Sequence, residues 1–361
     1  MLLYLHIPFC HRVCPYCSFY KHTPGSTPIA RFIDALSAEA RSRIHKPPRT
    51  LYLGGGTPSM LSPRHLEALF GALRERIDFS RLDEVTLEAN PATFDLSKAR
   101  LMAELGVTRV SLGIQSFAPH VLETLGREHD PQQAAESVSI LREAGIPQVN
   151  IDLMFSVPGQ SLADWQSTLE QAIALQPDHI SAYNLTYEED TAFFESLKRG
   201  EVNPSEDEDA SHFHLASEML TAAGFDHYET SNYARPGRES THNQGYWSGE
   251  DYLGLGPSAV STLGHERSRN IADTALYTER VESMGHALED AEKIDPEARR
   301  IERIALGLRT REGIPASLLD ADGLVRVNQL ATEGIARQTD GRVMLIGRGR
   351  ALVDAVAAEL I

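Results

Sequence analysis

Three thiols open the chemical reading of this 361-residue chain. Cys10, Cys14 and Cys17 are its only cysteines, and all three stand in one stretch, HIPFCHRVCPYCSFYKH, from His6 to His22. Thiols this close could be a redox pair, zinc ligands or iron–sulfur ligands. CPYC has the spacing of a redox dithiol, whose thiol pKa falls at the start of a helix. The third cysteine and the length of the chain count against that use. No His follows Cys17, which removes c-type haem attachment through C-x-x-C-H. Structural zinc takes four ligands, so a zinc site would need His6, His11 or His22 beside the thiols. Otherwise C-x3-C-x2-C suits a cubane 4Fe–4S cluster, with three irons held and the fourth open to an outside ligand.

Such a loop needs a scaffold. Six short apolar segments read as strands, at 2–7, 50–54, 84–89, 109–114, 149–155 and 179–185, with helical patterns between them such as 28–44, 62–77 and 132–145. β–α units in series imply a parallel sheet with crossover helices. ELGV and EAGI place Gly106 and Gly145 at helix ends that lead into strands. Strands of parallel sheets are usually apolar on both faces, and these are not. Thr86, Glu88 and Asn90 alternate with Val85 and Leu87; Ser111 and Gln115 lie opposite Val110, Leu112 and Ile114; Asn150 and Asp152 lie opposite Ile151, Leu153 and Phe155. A solvated face is the plain reading. A site-lining face inside a curved, barrel-like sheet fits better, because parallel sheets seldom leave a face to solvent. GGGTP, from Gly54 to Pro58, follows the second strand; glycines there let the backbone approach a ligand and present its polar groups.

The gross numbers narrow the class. With 42% hydrophobic and 24% charged residues the chain can bury a core as an ordinary globular protein. Lys and Arg total 34 against 51 Asp and Glu, a net charge of -17 that argues against nucleic acid as a partner. The apolar start MLLYLHIPFC lacks a basic n-region and reads as a strand. No run of about 18 apolar residues is present to span a membrane. Three cysteines make no disulfide framework, so a reducing cytoplasm is expected.

After about residue 188 the pattern changes. Residues 205–225 read as a helix whose acidic first turn complements its dipole. An irregular, Gly-rich and aromatic stretch follows at 231–261. A helix at 296–310 and a strand–turn–helix at 341–360 close the chain. The expected division is a core at 1–190, a capping segment at 191–290 and a C-terminal helical, winged-helix-like unit at 291–361.

The cysteine spacing after a first strand, with the motifs downstream, resembles the radical S-adenosylmethionine (SAM) superfamily. YLHIPFC…CPYC, GGGTPS, EANP, GIQSF and SVPGQ together resemble its oxygen-independent coproporphyrinogen III oxidase family, over nearly the whole chain. The resemblance implies an α/β fold with a partial six-unit β/α barrel and a C-terminal α+β appendage. It implies a 4Fe–4S cluster on Cys10, Cys14 and Cys17, with SAM chelating the open iron. Carried over residue by residue, Tyr4, Tyr16, Gly55, Gly56, Thr57, Glu88, Gln115, Arg127 and Asp152 become SAM contacts. Three features favour the haem-chaperone branch over the oxidases. Phe19 stands where the oxidases have a further cysteine, their N-terminal extension is missing, and HNQGYW (His242–Trp247) matches the H-N-x-x-Y-W signature of the chaperones. His242 becomes the haem candidate, with His212, His214 and His265 next. Haem, acceptor haemoproteins such as respiratory ones, and a second copy of the chain in a homodimer are the implied partners. No catalytic residue is assigned, and coproporphyrinogen oxidation is expected to be absent. The other functional class is a radical enzyme acting on a porphyrinogen.

Overall fold

The computed structural model describes residues 1–25 and 28–361. Its centre is a run of parallel strands, β1 (Leu2–Ile7), β2 (Thr50–Gly55), β3 (Glu84–Ala89), β4 (Arg109–Gln115), β5 (Gln148–Phe155) and β6 (His179–Asn184), each paired with the next. The crossovers carry α1 (Ile29–Arg43), α2 (Pro63–Arg74), α3 (Leu96–Glu104), α4 (Pro119–Thr124), α5 (Pro131–Glu143) and α6 (Leu162–Ala174). Local sequence sets their ends. Asp130 with Gln133, and Ser161 with Asp164, close reciprocal capping boxes at the starts of α5 and α6. Gly106 and Gly145 take φ of 96° and 82°, the left-handed turn that ends a helix.

The alternation seen in the sequence sorts the two faces of the sheet. Leu51, Leu53, Val85, Leu87, Val110, Leu112, Ile151 and Leu153 are fully or nearly fully buried, packed with Phe32, Leu36, Leu69, Phe70 and Leu141 of the helices. Polar side chains hold the opposite face. The fold is thus an α/β sheet whose helices cover one side and whose site lies on the other.

The later chain extends this sheet at both edges. After α7 (Ala192–Lys198) and α8 (Glu206–Ala222), β7 (Asp226–Glu229) and β8 (Asn232–Ala234) form a hairpin antiparallel to β6. After α9 (Thr241–Ser248), β9 (Tyr252–Leu255) pairs in parallel with β1, and β10 (Val260–Leu263), β11 (Glu266–Asn270) and, beyond α10 (Thr274–Met284), β12 (Leu288–Lys293) continue antiparallel. The full order is β12-β11-β10-β9-β1-β2-β3-β4-β5-β6-β8-β7. The stretch 231–261, read from sequence as irregular, is therefore ordered into three strands and a helix. Its strands hold three or four residues each, too few to show a period of two.

The chain ends in α11 (Pro296–Leu308), β13 (Ile314–Pro315), α12 (Ala321–Thr332), the hairpin β14 (Ala336–Thr339) and β15 (Arg342–Leu345), and α13 (Val353–Leu360). Ile304, Leu308, Val327, Val343 and Val356 belong to an apolar cluster of its own. Polar contacts join it to the sheet. Arg309 pairs with the buried Glu229 at 2.7 Å, and the backbone of Arg309 and Arg311 bonds the edge of β7.

Candidate functional site

The cysteine loop is pinned by backbone before any ligand is considered. Cys10 N–H donates to His22 O at 3.0 Å and His22 N–H to Pro8 O at 2.9 Å, closing the loop at its base. Gly56 and Thr57 donate their N–H groups to Ile7 O and Phe9 O, each at 2.8 Å, and dock the GGGTP turn on the start of the loop. A Cβ on Gly56 would stand 2.7 Å from Phe9 O and 2.8 Å from Ile7 O, backbone atoms that cannot step aside. That close approach is why glycine is required here. Its N–H is spent on Ile7 O, and Gly56 lines the cavity described below.

Two alternative uses of the thiols lose support. Cys14 to Cys17 is a turn, with Cys17 N–H on Cys14 O at 3.3 Å, and no helix starts there. Burial pushes the Cys10 and Cys17 thiols up, opposite to a redox dithiol. For zinc, both ring nitrogens of His6 are engaged, with Tyr4 OH at 3.0 Å and Tyr20 O at 2.7 Å. Those of His22 are engaged too, with Thr23 O and Thr274 Oγ1, both at 2.7 Å. Neither can complete a four-ligand cage without giving up those bonds, which leaves only the exposed His11 of the three candidates.

The thiols open on a cavity of about 990 Å³ at the carboxyl ends of the parallel strands. All the residues named above for cluster and SAM line it except Tyr4, which stands behind the wall with its hydroxyl on His6. Glu88, at the end of β3, accepts from Tyr52 OH at 2.8 Å and Gly55 N–H at 3.0 Å. Burial, with the charge of Asp152 adding to it, pushes its carboxyl up to about 7. Asp152 on β5 accepts from Ser111 Oγ at 2.8 Å and Asn150 Nδ2 at 2.7 Å, and burial raises it as well. Gln115 ends β4 at a bulge with φ of 68°. Arg127 donates to Asn90 Oδ1 at 2.7 Å and Gly113 O at 2.6 Å, and reaches Cys14 Sγ at 3.7 Å. Its Nε is buried without a hydrogen-bond partner, an N–H left over for an anionic group.

His242 is placed differently. Its side chain is 1% exposed and off the cavity wall. Nδ1 shares a hydrogen bond with Thr50 Oγ1 at 2.8 Å, the ring packs 4.9 Å from those of Tyr52 and Tyr246, and Nε2 is buried without a partner. Burial lowers its pKa to about 3, so it is a neutral imidazole. A haem cannot reach that nitrogen in this conformation. His212 is also buried, with Nδ1 on Glu208 O at 2.7 Å, whereas His214 and His265 are exposed.

Several lining residues went unassigned in the sequence. Tyr52 shares the polar alternation of its strand, and Asn90 stands on the polar face of EANP, so both were legible. Arg309 and residues 351–355 also line the cavity. They arrive from the C-terminal unit, and nothing local marks them.

Comparison with known proteins decides the family. Residues 4–172 match the Radical SAM superfamily. The chain is 36% identical to heme chaperone HemW of Mycobacterium tuberculosis strain H37Rv, covering 99% of this chain and 94% of that protein. It is 32% identical to heme chaperone HemW of Bacillus subtilis strain 168, over 98% and 97%. The chain belongs to the HemW family. Coproporphyrinogen III oxidase (HemN) from Escherichia coli has the same fold, with a TM-score of 0.85 at 24% identity over 99% of this chain and 89% of that one. As a radical SAM family, the HemW family implies a 4Fe–4S cluster and SAM. The site suits both: three thiols on one pinned loop beside a cavity lined by two half-buried carboxylates for a cationic ligand, and an unpartnered guanidinium N–H for its carboxylate. Among the described residues no helix is long and apolar enough to cross a membrane.

Proposed function

We propose that this protein is a haem chaperone: it binds haem and passes it to acceptor haemoproteins, respiratory ones among them, in the cytoplasm. The observation that carries this reading is the full-length similarity to relatives named heme chaperone HemW. In this reading Cys10, Cys14 and Cys17 hold the cluster. Tyr16, Gly55, Gly56, Thr57, Glu88, Gln115, Arg127 and Asp152 hold SAM, with Tyr4 supporting them from behind. Residues 1–190 form the core, 191–290 cap it, and 291–361 form the C-terminal unit. His242 remains the haem candidate, reached only if α9 lifts and frees its Nε2. The fold likeness to HemN favours a second reading, a radical enzyme acting on a porphyrinogen.

The chain's own residues would share the work. The thiolates would anchor the cluster, and cluster and SAM, when bound, would supply one-electron chemistry. Glu88 and Asp152 would orient a cationic ligand by hydrogen bonds and charge, and Arg127 its carboxylate.

Anaerobic reconstitution is expected to give about four irons per chain, lost in Cys10→Ala, Cys14→Ala and Cys17→Ala alike. Full iron retention in any one of them would remove the cluster assignment. Added haem should bind at about one per chain, with a spectrum perturbed in His242→Ala. The same protein, given SAM, a reductant and coproporphyrinogen III, should form no protoporphyrinogen IX. Turnover comparable to a genuine oxidase assayed alongside would decide for the enzyme.

A further inference from the structure

Asn90 touches a candidate SAM contact on one side and a neighbour of the cluster loop on the other. Its Oδ1 lies 2.7 Å from Arg127 Nη2, and its Nδ2 lies 3.1 Å from Thr57 Oγ1, which is in turn 3.5 Å from Cys10 Sγ. Donor and acceptor chemistry gives this chain a single direction. A guanidinium can only donate, so the amide oxygen must face Arg127 and the amide NH2 must face Thr57. The hydroxyl of Thr57 therefore accepts from Asn90, and its own proton is free to point at Cys10 Sγ. The backbone around Asn90 is fixed to hold that pose. Thr93 donates to Asn90 O through both N–H at 3.3 Å and Oγ1 at 2.6 Å, and Ala92 takes a φ of 62°. Pro91 at the second position and positive φ at the third match a type II turn. The same Arg127 reaches Cys14 Sγ at 3.7 Å through Nη1.

We propose that Asn90 is a positioning residue that directs the Thr57 hydroxyl onto Cys10 Sγ and couples it to Arg127, so that the group occupying the SAM site and the electron affinity of the cluster are linked. The inference rests on the cluster reading given above. Hydrogen bonds to cysteine sulfur stabilise the more negative, reduced cluster and raise its potential. A SAM carboxylate drawing on Arg127 would change what that guanidinium gives to Asn90 and Cys14.

The test uses the full chain, reconstituted anaerobically, and reads iron content and the cluster midpoint potential with and without SAM. Asn90→Asp keeps the shape of the side chain, but a carboxylate only accepts, so the Thr57 hydroxyl must turn away from Cys10. The expected result is retained iron and a shift to more negative potential. Part of that shift would come from the added charge alone, and a double-mutant cycle with Thr57→Val separates it. The Asn90→Asp shift should be larger when Thr57 is present than when it is Val. Asn90→Leu adds no charge and removes the amide that pins the hydroxyl, and should shift the potential in the same direction by less. It also stands in if the Asp variant loads no cluster. Equal Asn90→Asp shifts in both backgrounds, or an unmoved potential in Asn90→Leu, would overturn the proposal. Wild-type protein that loads no iron would overturn the cluster reading itself, and the proposal with it.

Discussion

Two groups of shielded acids in this protein, one fully buried and one half-buried on a cavity wall, separate scaffold from site. Glu39, on α1, is fully buried and fully served. It accepts from Asn270 Nδ2 and Tyr277 OH, each at 2.7 Å, from Gly256 N–H at 2.9 Å, and from the guanidinium of Arg43 at 3.2 Å. These donors come from α1, α10, β11 and the turn after β9, so one carboxylate ties four elements together. Glu88 and Asp152, across the sheet, receive only uncharged donors: a phenol and a backbone N–H for one, a hydroxyl and an amide for the other. Burial raises the pKa of both. Among the described residues no cation is hydrogen-bonded to either carboxylate, and only Arg109 acts on Asp152 from a distance; proteins leave such half-buried acids where a ligand completes them. Both face the cavity beside the cysteine loop. Glu39 is thus a finished interaction, and Glu88 with Asp152 an unfinished one that a cationic ligand such as SAM would close.

The comparison breaks most visibly at Glu39. Glu39→Gln removes the charge and leaves the guanidinium of Arg43, whose side chain is 14% exposed, without its counter-ion. Breaking a buried pair in this way costs about 3–5 kcal/mol. Denaturant unfolding should show a loss of that size, while SAM affinity of the remaining folded protein stays near wild type. An unchanged midpoint would mean that the Glu39 network is not holding the β9–β11 extension in place.

Asp152 should behave the other way. Asp152→Ala removes a cavity acid whose own burial is unfavourable, so unfolding without ligand should shift little. SAM binding should weaken by about 1.5–3 kcal/mol, the scale of a lost charge-assisted hydrogen bond. Calorimetry reporting unchanged SAM affinity would show that this face of β5 does not hold the ligand.

The contrast between the two acids also marks what the sequence could tell. The placing of Glu88 and Asp152 was legible, because strict alternation with Leu87, Ile151 and Leu153 put them on a polar face that a parallel sheet would not normally have. The six core strands were legible as short apolar segments in series with helical patterns. Glu39 was not. In IARFIDALSAEARSR it looks like any acid on an amphipathic helix, and its partners Asn270 and Tyr277 lie more than two hundred residues away. His242 shows the same limit from the other side. Its motif was readable, but not that α9 turns the imidazole inward against Thr50 and Tyr52 rather than toward the cavity. Local periodicity reports which face a residue takes, whereas partners brought by distant segments leave no trace in it.

The smallest effect gives the sharpest reading of the unfinished pair. Glu88, pushed up to about 7 inside the fold, ionises near 4.3 in the unfolded chain. Its protonated form therefore supports stability fully below about pH 4.3, and that support is lost as pH rises to about 7. Ligand binding has the opposite sign. A cation in the cavity favours the carboxylate and lowers its pKa, so SAM affinity should rise with pH and level off above about 7. Between pH 6 and 8 the gain from this one group is at most about tenfold, or about 1.4 kcal/mol. Binding near pH 6.5 should release protons, seen as a heat that depends on the ionisation enthalpy of the buffer. Glu88→Gln should flatten the profile and abolish that release, because the amide carries neither charge nor a titrating proton. Tyr52 OH and Gly55 N–H both donate, so an amide can keep only one of those bonds at its oxygen and must turn its NH2 toward the other donor. Some loss of affinity at every pH is therefore expected, and the slope rather than the level is the diagnostic. A wild-type affinity that falls as pH rises would mean that Glu88 meets its ligand as a neutral acid donating a hydrogen bond, and the site acid would then be completed by an acceptor instead of a cation.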